Sequence, residues 1–423
     1  MERDILPAEI YKEIEVIDSA DIVIGIPSYN NAKSIAHVVN AALLGLAKYY
    51  PDMKAVIVNS DGGSSDGTPD VFMNANPFNK GDYFFTDLEC VPARKMTLSY
   101  KGIPGKGSAF RSIFEIAYLL DAELCIVVDS DLRSITPEWF ECLGYPILEK
   151  DYDYVTPFYL RHKYDGTITN SIAYPFTRAM YGHDLRQPIG GDFGISGTLL
   201  PNYISQDVWE TDVAKYGIDI WMTTTALTHD YKVAQAFLGC KIHDVKDPGE
   251  HLGPMFRQVV STLMRLAGEK ADLAREVKTV KEVPIFGFPF TATPEPLPVN
   301  LDRLLEKFNN GFKEHEEAIK LILSPDTFKE IKSLVGTPIE KFAYSPELWV
   351  KSVYEYATKI ALGGKADLVD TMIPIYYGNV ASFVKKTWDM NDEQSERVVQ
   401  EQAELFFNMR EYFLKNLREK VSV

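Results

Sequence analysis

The sequence predicts an α/β fold, a mostly parallel sheet flanked by helices, with a helical C-terminal region. Three observations predict it. Short apolar runs without polar alternation recur through the first two-thirds of the chain, as in strands covered on both faces. Amphipathic stretches separate them, the alternation expected of strand–helix–strand units. Beyond a proline-rich stretch at Val283–Val299, the apolar residues fall at helical spacing.

The elements follow in order. Asp21–Pro27 (DIVIGIP) is a buried strand that stops at a proline, and Asn31–Tyr50 follows as a helix. Ala55–Ser60 (AVIVNS) is the second strand, ended by the turn-rich DGGSSDGT. Met96–Tyr100 is a short strand, Lys106–Leu120 a helix, and Leu124–Asp131 (LCIVVDSD) a strand again. In open sheets of this kind, ligands bind at the carboxyl ends of the strands. The three most polar exits are Pro27-Ser28-Tyr29-Asn30, Asn59-Ser60-Asp61 and Asp129-Ser130-Asp131, and they should converge on one crevice. Later helices are expected over Leu301–Leu323, Ser345–Ile360, Asp367–Trp388 and Glu393–Val421. Pro374 and Gly378 should kink or split the third of these. The domain reading is residues 1–282, a proline-rich linker at 283–300, and a helical region at 301–423. Leu301, Leu304, Leu305 and Phe308, like Phe406, Met409, Tyr412 and Phe413, sit at helical spacing. That pattern reads as core packing, with a homodimer interface as the alternative.

Composition limits the partners. The 423 residues are 46% hydrophobic and 25% charged, an ordinary globular balance. Lys and Arg number 44 against 60 Asp and Glu, a net charge of −16. No global positive field steers the protein toward nucleic acid or an anionic membrane, so neither is an expected partner. A small phosphorylated ligand needs only a local patch or a metal. Cys90, Cys125, Cys142 and Cys240 show no paired spacing, which argues against a zinc ribbon or disulfide framework. The N-terminal stretch has no signal-type apolar core, and no apolar run approaches the roughly 20 residues of a membrane span. A soluble, cytoplasmic protein is expected.

The sharpest chemical feature is Asp129-Ser130-Asp131 at the end of a strongly apolar strand. Two hard oxygen ligands there suit Mg²⁺ or Mn²⁺; the plainer reading is that Asp131 caps the next helix. His243 could complete such a site, although a lone histidine is more often a packed or surface residue. Pro104-Gly105-Lys106-Gly107 opens a helix whose N-terminus favours anions, and a simple helix start explains it equally well. Asp219, in Tyr216-Gly217-Ile218-Asp219, either caps a helix or orients a hydroxyl.

Taken in order, these motifs resemble the nucleotide-sugar glycosyltransferases of the GT-A fold. A narrower resemblance rests on Gln187-Pro188-Ile189-Gly190-Gly191-Asp192-Phe193, Tyr216-Gly217-Ile218-Asp219, and Leu238-Gly239 through His243 into Arg257–Leu263. These look like the retaining glucosyl-3-phosphoglycerate synthases and mannosylglycerate synthases, over about Asp21 to Gly268. The resemblance implies roles. Asp129, Asp131 and His243 would hold the divalent metal. Pro27, Tyr29, Asn31, Ser60, Asp61, Lys106, Asp129 and Ser130 would bind the nucleoside-diphosphate hexose. Arg161, Thr167, Thr169 and Asp219 would bind the acceptor, with Asp219, Asp131 and Lys106 in catalysis. At Asn31 the phosphoglycerate enzymes usually carry Glu, so nucleobase or ribose contacts differ there.

Two departures bear on the acceptor. The phosphoglycerate enzymes tend to carry Arg where this chain has Thr167, and Arg-Asn where it has Asp244-Val245. Phosphate is best held by Arg and amide donors. The preferred acceptor is therefore D-glycerate, with 3-phosphoglycerate as the alternative and a mannosyl rather than glucosyl donor as another. UDP- and GDP-sugars both remain open. Retention by a covalent route would need a carboxylate beneath the anomeric carbon, and Asp192 and Asp219 are the candidates. Front-face attack is the alternative the resemblance favours. Competing readings are a nucleotidyltransferase and a non-catalytic sugar-nucleotide binder. The product of the favoured reaction would be a compatible solute of the glucosylglycerate type.

Overall fold

β1 (Ile22–Ser28) has no exposed residue, and the sheet is built outward from it. On one side it pairs in parallel with β2 (Ala55–Asp61), which pairs in parallel with β3 (Arg94–Ser99); on the other it takes β4 (Leu124–Val127). The apolar runs explain this placement, because a strand apolar on both faces is stable only under cover on both. One covering layer is Ile35–Tyr49 and Glu138–Lys150, whose Val38, Leu46, Phe140 and Leu143 pack with Ile22, Ile24 and Ile26. The computed structural model describes residues 5–77, 93–242, 248–288 and 294–421.

The sheet continues through β5 (Tyr154–Leu160), β7 (Phe193–Ser196), β8 (Val233–Cys240) and β10 (Ile285–Phe286). Two further short strands, β6 (His183–Asp184) and β9 (Lys281–Glu282), pair apart from it. Among the described residues the main sheet has eight strands in the order β10-β8-β5-β7-β4-β1-β2-β3. Only β7 is antiparallel to its neighbours, β4 and β5. This mostly parallel, helix-flanked sheet is the architecture expected of a GT-A, Rossmann-like domain. The reversed strand has a consequence for the crevice. Phe193, at the start of β7, pairs with Val127, at the end of β4. The loop entering β7 therefore arrives where the parallel strands leave.

Two expectations about this sheet need correction. β4 ends at Val127, short of the expected Asp131, because the Asp129 amide donates to the Asp192 carboxylate rather than to a neighbouring strand. Part of the stretch read as a linker is an edge strand: Ile285–Phe286 pairs with β8, and Gln235 bonds the carbonyls of Val283 and Pro284.

The chain divides into two compact units that interleave in sequence. The sheet unit comprises Met1–Leu160, Ile189–Lys246 and Val283–Pro294; the helical unit comprises Arg161–Pro188, Asp247–Glu282 and Glu295–Val423. One break between the units does fall at 282/283, as read from the proline-rich stretch, but the chain also passes between them at 160/161, 188/189, 246/247 and 294/295. Segment 161–188 goes with the late helices because it shares their core. In the helical unit, Tyr174–Tyr181 is buried along its whole length, and Phe176 packs on Tyr354, Phe406 and Phe413. Trp349 donates its indole N–H to the Ser171 carbonyl at 2.8 Å. Arg186 is bound by both Glu396 oxygens at 2.8 Å.

The late helices are Leu301–Ile322, Pro325–Leu334, Pro346–Ala361, Ile373–Thr387 and Asp392–Val421. Pro325–Leu334 was not anticipated; Ser324 caps its start. The stretch expected as one helix is split just before Pro374, which sits in the first turn of the second part, where a missing N–H costs little; Gly378 lies within that helix. A 3₁₀ segment, Ala366–Met372, precedes it. Leu305, Phe308, Phe406 and Phe413 are buried, as core packing requires. No described helix is long and apolar enough to cross a membrane. Because Trp349 joins packing and a buried hydrogen bond, Trp349→Phe should lower stability by about 1–3 kcal/mol in urea denaturation.

Candidate functional site

The crevice at the strand exits is dominated by a buried charge cluster drawn from five places in the sheet unit. Asp129 sits in the turn after β4, and Lys106 is the first residue of helix Lys106–Leu119. Asp219 lies in the first turn of helix Ile218–Thr228, Asp192 immediately precedes β7, and Lys241 immediately follows β8. The Lys106 ammonium is 3.0 Å from Asp129 Oδ1 and 3.3 Å from Asp219 Oδ1. The Lys241 ammonium is 2.8 Å from Asp129 Oδ2 and 2.9 Å from Asp192 Oδ2. It also donates to the Gly190 carbonyl at 2.9 Å. Asp192 accepts the Asp129 amide at 2.8 Å on its other oxygen, and the Tyr159 hydroxyl donates to Oδ2.

Local sequence explains the close approach. Gly191 has a φ of 93°, and a Cβ there would stand 2.3 Å from Asp129 Oδ2. Only glycine fits both constraints.

The electrostatics follow from burial and pairing. Burial pushes the Asp129 carboxyl up, but Lys106 and Lys241 outweigh it and hold the group well below the usual carboxylate range. Burial would lower Lys106, yet Asp129 and Asp219 raise it above an ordinary lysine. Asp219 and Asp192 both end up raised: burial is the larger effect, and Lys106 and Lys241 respectively offset only part of it. Two ammonium groups face three carboxylates, a formal charge of −1.

The polar exits of β1, β2 and β4 converge. The Asn31 carboxamide oxygen accepts from the Tyr29 amide and the Ser130 hydroxyl, both at 2.9 Å. The Ser28 hydroxyl donates to Asn59 at 2.7 Å and Asp61 at 3.0 Å. Asp61 also accepts from the Gly63 and Ser64 amides and the Ser64 hydroxyl, at 2.9, 2.8 and 2.6 Å. Its carboxylate thus orders its own loop. Pro27 and Ser60 are buried partners in the β1–β2 register. Ser60 has no exposed surface, so direct base contact by its hydroxyl does not fit this arrangement. Tyr29 is 64% exposed at the rim, an aromatic face open to a base.

The glycines around Lys106 serve packing. A Cβ at Gly107 would lie 1.9 Å from the Val213 carbonyl oxygen, and one at Gly105 2.6 Å from that of Ala214. The Gly107 amide donates to Lys215 and the Gly105 amide to the Tyr100 hydroxyl. These two amides are committed within the protein, in keeping with the simple helix start that the sequence also allows. The lysine is its contribution to the crevice.

Of the acceptor candidates, Arg161, Thr167 and Thr169 lie in the helical unit and Asp219 in the sheet unit. Arg161 follows β5 and pairs with Asp165 at 3.3 Å. The Thr167 and Tyr376 hydroxyls share a hydrogen bond, and Thr169 opens the buried turn Thr169–Ala173. His243, with Asp244 and Val245, falls outside the described residues.

Among the described residues, no group of three His, Cys, Asp or Glu assembles a metal site. Asp131 has the hard oxygen chemistry a divalent cation takes. Asp129 has it too, but each of its oxygens already faces an ammonium. Lys241 and Tyr159 were not singled out from the sequence. The available signal was a lysine one residue past a buried strand, two before His243.

No family model matches the chain, and no curated protein matches it. Among solved structures, glucosyl-3-phosphoglycerate synthase from Mycobacterium tuberculosis with Mg²⁺ and UDP is similar at 21% identity. That match covers 61% of this chain and 83% of the other, with a TM-score of 0.44. The same enzyme with Mn²⁺, UDP-glucose and phosphoglyceric acid matches at 22% identity over 62% and 85% of the chains, TM-score 0.43. A mycobacterial protein matches at 23% identity over 60% and 78%, TM-score 0.44. The chemistry available to this chain follows from the geometry above.

The depressed Asp129 carboxyl contributes stability present above its unfolded value, about 3.9, and lost as pH falls through its lower folded value. In metal-free buffer, Asp129→Asn should therefore lower the urea midpoint most near neutrality. The gap from wild type should begin to narrow only below about pH 4 and keep narrowing toward the lower folded value.

Proposed function

We propose that the chain is a retaining hexosyltransferase. It moves a hexose, glucose in the first instance, from a nucleoside-diphosphate sugar to the 2-hydroxyl of D-glycerate. The observation that carries this reading is the convergence of the Lys106–Asp129–Asp219 cluster with the Tyr29–Asn31–Ser130 exits at the carboxyl edge of one parallel sheet. A sugar nucleotide has parts that suit such a crevice: a base for an exposed aromatic, hydroxyls for carboxylates, and a diphosphate for cations.

The cluster's formal charge of −1 does not attract a diphosphate unaided. A bound Mg²⁺ or Mn²⁺ would supply that attraction and stabilise charge on the leaving diphosphate. Asp131 and His243 are the residues proposed to hold it, with Asp129 as the third candidate. Lys106 lies against Asp129 and Asp219, where its ammonium can meet a phosphate oxygen or orient Asp219. Asp219 is proposed to hold the acceptor hydroxyl, positioning that supplies much of the rate in group transfer.

Asp192 has no exposed surface, and both its oxygens are committed. A covalent intermediate on it has no access, and with Asp219 proposed to hold the acceptor hydroxyl, front-face attack with a leaving-phosphate oxygen taking the acceptor proton is the proposed route. Thr167, where an arginine would serve a phosphate, is the reason to place D-glycerate ahead of 3-phosphoglycerate.

A donor-by-acceptor matrix tests the reading, with UDP- and GDP-hexoses against D-glycerate and 3-phosphoglycerate, in Mg²⁺, Mn²⁺ and chelator. The expected product is a hexosylglycerate, formed only with metal, at a kcat/KM for D-glycerate at least tenfold above that for 3-phosphoglycerate. A strong preference for the phosphorylated acid would overturn the acceptor assignment. Asp131→Ala should abolish the metal-dependent product while leaving the circular dichroism spectrum and melting midpoint close to wild type. Substantial residual turnover would remove its role as a metal ligand.

A further inference from the structure

The lysine that follows β8 is built firmly into the crevice. Its side chain is only 5% exposed. Its ammonium meets Asp129 Oδ2 at 2.8 Å, Asp192 Oδ2 at 2.9 Å and the Gly190 carbonyl at 2.9 Å. It also stands 5.2 Å from the centre of the Tyr159 ring. Three donors on one ammonium thus have three oxygen acceptors. Gly191 lacks the Cβ that would otherwise collide with the same Asp129 oxygen. The Asp129 backbone is held by the same partner, through its amide and Asp192 Oδ1 at 2.8 Å. Asp129 is therefore fixed at two points, leaving Oδ1, shared with Lys106 at 3.0 Å, on its other side.

We propose that Lys241 is a positioning residue: it fixes the Asp129 carboxylate by one oxygen and aims the other, with Lys106, at the diphosphate-sugar end of the donor. This rests on the sugar-nucleotide reading of the crevice. Lys241 does not touch the donor; it acts through Asp129. The base end of the donor is the province of the β1 and β2 exits, where Lys241 makes no contribution. Loss of Lys241 should weaken recognition of the sugar-bearing diphosphate and spare recognition of the nucleoside.

Charge and position are separable. Removing the ammonium alone leaves two carboxylates short of a counter-charge, which destabilises the fold and repels an anionic ligand. Lys241→Met combined with Asp192→Asn removes one positive and one negative charge, so the cluster stays at −1 formal charge. Any remaining defect is one of placement.

The experiment is calorimetric titration of wild type, the Lys241→Met/Asp192→Asn double variant and Lys241→Arg, in Mg²⁺ buffer. The titrants are UDP-glucose, GDP-glucose, GDP-mannose and the corresponding nucleoside monophosphates. The melting midpoint of each protein is recorded. The double variant is expected to melt within a few degrees of wild type. It should bind the sugar nucleotide at least tenfold more weakly and the monophosphate within twofold. Lys241→Arg should recover part of the loss. Equal sugar-nucleotide affinity in wild type and double variant overturns the assignment, as does a parallel loss for both ligands. If the double variant does not fold, Lys241→Arg decides: the same selective loss on a smaller scale supports the assignment, and unchanged binding of both ligands overturns it. A wild-type protein that binds the sugar nucleotide but transfers nothing sinks the transferase reading alone. One that binds no nucleotide sinks both.

Discussion

The interaction on which the site depends is the pairing of Asp129 with two ammonium groups from different parts of the sheet unit. A carboxylate taken out of water is stable as an anion only if paired and hydrogen-bonded. Asp129 meets that condition because the start of one helix brings Lys106 and the end of β8 brings Lys241. Several other features follow from it. β7 runs against its neighbours, so its entry loop delivers Asp192 to the same spot. Gly191 leaves room for the Asp129 oxygen, and Tyr159 satisfies the carboxylate oxygen that Lys241 also holds. Replacing any one of these leaves a buried charged group short of a partner.

Much of this was legible in the sequence. The apolar runs in Asp21–Pro27, Ala55–Ser60 and Leu124–Asp131 read as covered strands, with their polar exits at the sheet's carboxyl edge. Lys106, Asp129 and Asp219 were candidates on type and position, and the fold brings them together. Lys241 was hidden because it is 112 residues from Asp129 in sequence, and nothing local marks one lysine after a strand. The glycines at 105 and 107 left two readings open for a related reason. A glycine signals that something comes close to the backbone, without saying what, and here the Asp212–Lys215 segment comes close rather than a ligand. The proline-rich stretch showed only part of the organisation. Prolines mark where regular structure stops, whereas a compact unit is defined by which apolar faces are buried together. Phe176 is buried against Tyr354 and Phe413, far along the chain.

The overall charge of −16 and the charge of the crevice have the same sign. In many anion-binding sites, surplus lysines or arginines create the attraction. Here both lysines already have internal carboxylate partners, and part of their work is geometric: they hold those carboxylates in place. A site of this kind gains its hold on an anion from something that arrives with it or ahead of it, a divalent cation being the obvious candidate.

The interleaving of the two units has a consequence for how the protein is made. Segment 161–188 leaves the ribosome long before the helices that bury it. Its Trp349–Ser171 hydrogen bond spans 178 positions, and Arg178 and Arg186 find Glu404 and Glu396 at separations of 226 and 210. Contacts between residues so distant in sequence form late, because a long loop must close before they yield anything. During synthesis the apolar face of Tyr174–Tyr181 is therefore an orphan, exposed while more than a hundred further residues are added. No single cut releases either unit with its core complete. A nascent chain arrested before Asp392 would be a chaperone client rather than a smaller working protein.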